Sequence, residues 1–182
     1  MKRQNKALTL MIYTALLTAI TYLCTMLLRI PVGADCYIHL GDAVIFTSVI
    51  MLPRKYACFA GTIGAVLADL SVLPFWAPWT FCCKLILVLV FGFFIDRASK
   101  SLDSCRRIGN IPVLEIVGYV LSSILMVAGY FFSELYLFGN WIEAGACVGF
   151  NMLQALIGAV LAVIVTEALK KTNIREMMYY VR

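Results

Sequence analysis

The chain has 182 residues, 63% of them apolar and only 14% charged, with a formal net charge of +5 and a mean hydropathy of +0.92. A water-soluble domain carries about 25% charged residues. This balance excludes an ordinary globular domain and predicts an all-α integral membrane protein.

Six apolar segments follow one another, roughly 8–30, 38–53, 56–73, 79–98, 113–138 and 145–170. Residues 1–182 therefore read as a single membrane domain of six transmembrane helices. A spanning helix needs about 20 residues; five segments reach that length and the second is short. The first run has no small-residue cleavage site and reads as a retained helix rather than a signal peptide. It carries Ala15 and Ala19 one turn apart.

The gap PVGADCYIHLG follows, with Tyr37 and the only histidine, His39. In the second segment, GDAVIFTSVIMLP, Gly41 permits a sharp entry and Asp42 is a good N-cap. The helix is expected to begin below the membrane surface, with the preceding loop dipping in above it. The third segment has a stripe of small residues, Ala57, Ala60, Gly61, Gly64, Ala65 and Ala68, that lets helix backbones approach.

Next comes LPFWAPWTFCCK, where Pro74 and Pro78 stiffen a loop holding Trp76 and Trp79. Lys84 lies further along the same helix. The fifth segment carries Tyr130 and, one turn later, Glu134. Trp141 sits in the gap FGNWIEAG, and the sixth segment has Asn151 and Gln154 three apart. Ionisable groups inside apolar helices are costly and face the bundle interior. Lys84 is expected to pair with Asp69.

Basic residues set the orientation. Thirteen of the 15 Lys and Arg fall before the first segment, in the second–third and fourth–fifth gaps, or after the sixth. The positive-inside rule then makes both termini cytoplasmic. All three tryptophans lie in or beside outward gaps. Lipid-interface anchoring accounts for part of this, but a belt should occupy both interfaces. The one-sided arrangement predicts an outward-facing pocket for a flat small molecule. The seven cysteines form no CxxC or Cys/His cluster and are expected to pack as small hydrophobes, with no metal site. No P-loop motif is present, so a power source for transport belongs to another chain.

AxxxA on the first helix, followed by YIHLGDAVIF, GTIGAVLADL and FWAPWTFCCKLI, resembles the substrate-binding S component of bacterial energy-coupling factor (ECF) vitamin transporters over roughly residues 8–170. The resemblance implies a non-enzymatic plasma-membrane subunit, without cofactor or nucleic-acid partner. It would capture one vitamin or precursor and dock on a transmembrane T component and two cytoplasmic ATPases, toppling in the membrane to release its load. It matches Ala15 and Ala19 to the docking face. It implicates Trp79, Lys84, Tyr130, Glu134, Trp141 and Asn151 in the pocket, with Tyr37, His39 and Trp76 as a lid. Hydroxymethylpyrimidine or a vitamin B6 compound is the nearest ligand class, with riboflavin, thiamine, cobalamin or a queuosine precursor open. The rival readings are a membrane enzyme, an assembly subunit and a stand-alone facilitator.

Overall fold

The computed structural model describes residues 2–32, 37–100 and 106–171, with side chains from residue 6 onward. Helix α1 (Lys2–Leu27) leads into a short hairpin, β1 (Ile30–Pro31) and β2 (Tyr37–Ile38). It is followed by α2 (Gly41–Met51) and α3 (Arg54–Val72). A 3-10 turn (Pro74–Trp76) opens α4 (Ala77–Lys100); a second hairpin, β3 (Arg107–Ile108) and β4 (Ile111–Pro112), precedes α5 (Val113–Phe138) and α6 (Trp141–Lys170). The two hairpins hold the only strands among the described residues.

Five of these helices are long and apolar enough to cross a membrane, while α2 has only 11 residues. At 1.5 Å per residue, α2 covers about 16 Å of a hydrocarbon core about 30 Å thick. It is buried nearly all round, with nine of its 11 residues inside the bundle. A helix apolar on every face belongs in a core rather than at an edge.

Small residues set how tightly the others close around it. The predicted stripe on α3 is wholly buried. A Cβ at Gly64 would come within 2.7 Å of the Thr18 carbonyl oxygen on α1. A Cβ at Gly158 on α6 would lie 2.9 Å from Asp42 Cβ and 3.2 Å from the Ala43 nitrogen. In the middle of α3 the turn Phe59–Ile63 is a π-helix, an inserted residue in the ladder. Below α2's midpoint, Phe46 meets Phe91 and Tyr119 at ring separations of 5.0 and 4.9 Å, and Phe91 meets Tyr119 at 4.4 Å.

The helix starts differ from expectation where caps decide them. Gly139 ends α5 in the left-handed region, φ 66°, and its N–H bonds the Leu135 carbonyl. Asn140 then caps α6 by accepting from the Ile142 N–H. Helix α6 therefore begins at Trp141, not at 145, and Trp141 is helical rather than in a loop. Conversely, Asp42 does not cap α2: Leu40 occupies that position without a side-chain bond. Cys147 is disulfide-bonded, which corrects the expectation of plain packing for that residue. Cys24, Cys58, Cys82 and Cys83 are free.

Candidate functional site

A group of polar side chains within the bundle gathers toward the hairpin end. Lys84 lies about 10 Å along α4 from Ala77, and Gln154 about 20 Å along α6 from Trp141. Both reach Asp42, which the start of α2 delivers into the interior. Lys84 Nζ donates to Asp42 Oδ1 at 2.6 Å, and Gln154 Nε2 donates to Asp42 Oδ2 at 2.8 Å. Lys84 and Asp42 are each 0% exposed. A buried charge needs a partner and further hydrogen bonds to be tolerated. Here the carboxylate has both, and the ammonium also lies 3.3 Å from Met126 Sδ and 5.1 Å from the centre of the Tyr130 ring.

This arrangement corrects the expected Lys84–Asp69 pair. Asp69 instead accepts from the Tyr37 hydroxyl at 2.6 Å. The exchange has a simple cause. Asp42, released from capping, is the carboxylate that reaches Lys84 within the core, whereas Asp69 near the end of α3 meets the hairpin.

The hairpin is tied down at several points. The His39 backbone N–H donates to Gln154 Oε1 at 3.1 Å, and the His39 ring accepts from the Gly41 N–H through Nδ1, also at 3.1 Å. Burial lowers the pKa of that ring to about 4, so it is neutral at physiological pH. The Arg29 guanidinium lies 3.5 Å from the centre of the Tyr37 ring. Burial, and then the neighbouring Asp69 charge, push the Tyr37 hydroxyl above its ordinary range.

A second polar pair sits across α5 and α6. Asn151 Nδ2 donates to Glu134 Oε1 at 2.9 Å, while Glu134 Oε2 is buried with no hydrogen-bond partner. The indole Nε1 of Trp76 is likewise buried and unpartnered. Tyr130 connects the two regions, its hydroxyl donating to Thr80 at 3.3 Å and its ring 6.3 Å from that of Trp76.

The structure thus gathers Tyr37, His39, Trp76, Lys84, Tyr130, Glu134 and Asn151 at one end. It does not bring Trp79 and Trp141 into the same buried cluster. Trp79 is half-buried against Tyr136, with ring centres 5.1 Å apart, and Trp141 is 66% exposed, its ring 5.7 Å from Phe131. Asp42, Gln154 and Asp69 join the cluster without having been selected as site residues. The signal for Asp42 was an acid in the first turn of an otherwise apolar helix, and for Gln154 its spacing from Asn151.

A bundle of long apolar helices around a closed polar cluster defines a multi-pass membrane protein. The family follows from comparison: the model of the ECF-type riboflavin transporter S component matches residues 5–171. The chain belongs to that family, and so is a transporter component of the bacterial plasma membrane, not an enzyme. It is 26% identical over 172 residues, 93% of each chain, to the thiamine precursor transporter HmpT of Lactococcus lactis subsp. cremoris (strain MG1363). It is also 32% identical over 140 residues to an uncharacterized protein in a gap 3' region of Pyrococcus woesei, covering 75% of this chain and 85% of that relative.

Proposed function

We propose that the protein is the high-affinity substrate-binding subunit of an ATP-driven ECF importer, taking up a flat heteroaromatic vitamin or precursor of the hydroxymethylpyrimidine or vitamin B6 class. The observation that carries this reading is the buried polar cluster beneath the hairpin, bordered by Trp76, Tyr130 and Tyr37, in a chain of the S-component family. The likeness to a thiamine precursor transporter supports the ligand class. In this reading residues 1–182 form one membrane domain with six spans, both termini are cytoplasmic, and the hairpin end faces outward. Tyr37, His39, Trp76, Trp79, Lys84, Tyr130, Glu134, Trp141 and Asn151 surround the substrate, with the last-named tryptophan and Trp79 at the rim.

A T component and two ATPases supply the energy. Support for the docking face comes from a groove of about 1110 Å³ between α1 and α3, lined by Ala15, Ala19, Tyr56, Phe59, Leu67 and Leu70 among others. Small residues on an exposed face permit close helix approach.

Titration of the detergent-purified protein with vitamins and precursors, followed by intrinsic tryptophan fluorescence, tests the reading. Saturable quenching by one compound at nanomolar to low micromolar concentration is expected. Silence across riboflavin, thiamine, hydroxymethylpyrimidine and the B6 compounds would favour an assembly subunit instead.

A further inference from the structure

Tyr130, Glu134 and Phe138 follow one another at four-residue intervals and share a face of α5. The Trp76 ring lies against that face on both sides of Glu134, 6.3 Å from Tyr130 and 5.9 Å from Phe138. Glu134 is only 4% exposed and Trp76 only 5%. Two groups in this part of the bundle are thus buried and unmatched: a carboxylate oxygen of Glu134 without a donor, and the indole N–H of Trp76, on the turn that opens α4, without an acceptor. Leaving either group unmatched in an apolar interior is costly, the charged one most of all. Among the described residues no basic side chain forms an ion pair with Glu134, and Lys84 is committed to Asp42. Asn151 fixes one carboxylate oxygen, and the other has no hydrogen-bond partner.

The complement of this pair is a small planar edge that carries an N–H donor beside a ring-nitrogen acceptor, with enough basicity to offset a carboxylate. A 4-aminopyrimidine has such an edge: the exocyclic amine donates to the carboxylate, and the adjacent ring nitrogen accepts from the indole N–H. A flavin offers a different edge, a weakly acidic imide N–H between two carbonyl oxygens. Those oxygens would be brought close to Glu134, and the ring would bring no positive charge. Resting on the binding-subunit reading above, we infer that Glu134 and Trp76 together form a specificity-determining pair that selects an aminopyrimidine over an oxo-pyrimidine or a flavin. Asn151 acts as a positioning residue, holding the Glu134 carboxylate in register.

Isothermal titration of the full chain with 4-amino-5-hydroxymethyl-2-methylpyrimidine, its 4-oxo analogue, pyridoxine and riboflavin tests the assignment. Wild type should prefer the amino compound over the oxo compound by about 10-fold or more, as expected for hydrogen bonds to a charged group. Glu134→Gln should collapse that ratio toward unity, because its amide can turn a donor toward the oxo group. Trp76→Phe keeps the ring and should weaken the amino compound without equalising the two. Unchanged elution and thermal denaturation would show that each variant is folded. An amino/oxo ratio unaltered in Glu134→Gln, or tight riboflavin binding with no aminopyrimidine binding, would overturn the inference and leave the binding-subunit reading in place. Failure of wild type to bind any of the four would overturn that reading as well.

Discussion

Lys84 and Asp42 illustrate how a single pairing organises the end of the bundle. Each is fully buried, and each satisfies the other. Removing one partner strands a charge in low dielectric, a loss of about 3–5 kcal/mol in comparable buried pairs, whereas replacing both is often close to neutral. Lys84→Met should therefore lower the stability of the detergent-solubilised protein strongly. The double change Lys84→Met with Asp42→Asn should restore much of it, as read by chemical denaturation. A double-variant loss equal to the sum of the Lys84→Met and Asp42→Asn losses would show that the two side chains act independently. Part of this site could be read from the chain itself: Lys84, Glu134, Tyr130 and Asn151 stand out because polar groups in apolar runs turn inward. The partner of Lys84 could not. Residues 42 apart on separate helices meet according to helix rotation and depth, and neither is encoded in linear spacing. The N-cap preference of aspartate pointed Asp42 to a local role that the tertiary pairing displaced.

At the level of elements, α2 is held by glycine-mediated contacts, and α6 contains its own control. A side chain at Gly158 meets the backbone and Cβ of α2, while one at Gly149 meets nothing within 4 Å. In a helix interior alanine is favoured over glycine by about 0.5–1 kcal/mol. Gly149→Ala should thus be neutral or stabilising. Gly158→Ala must push α6 away from Asp42, lengthening the Gln154–Asp42 hydrogen bond, and should cost about 1–3 kcal/mol through overpacking. Thermal denaturation of the two variants in the same detergent separates these outcomes; equal behaviour would mean that α2 and α6 are loosely apposed. The apolar segments were legible because a membrane helix is defined by length and composition. Their ends were less so: Asn140 and Gly139 moved the start of α6 to Trp141 through cap geometry. The hairpin pairing Ile30 with Ile38 across a gap rich in turn formers also lay outside that signal.

For the molecule as a whole, the α1–α3 groove is where the proposed docking can be separated from binding. Ala15 and Ala19 are exposed on it and touch none of the polar cluster described above. Replacing both with tryptophan should abolish uptake by the assembled transporter while leaving ligand affinity within a few-fold of wild type, measured by uptake in cells and by titration of the isolated subunit. Loss of both together would make this face internal packing rather than a docking surface. The half-length of α2 has a broader consequence. Its residues, the Asp42–Lys84 pair and the Phe46–Phe91–Tyr119 cluster close the middle of the bundle with packed side chains. In the binding-subunit reading proposed above, the protein is therefore a cup and not a conduit. On that reading a solute would enter and leave through the same mouth, delivery to the far side of the bilayer would require the vessel to turn over, and the surrounding lipid would take part in every transport cycle.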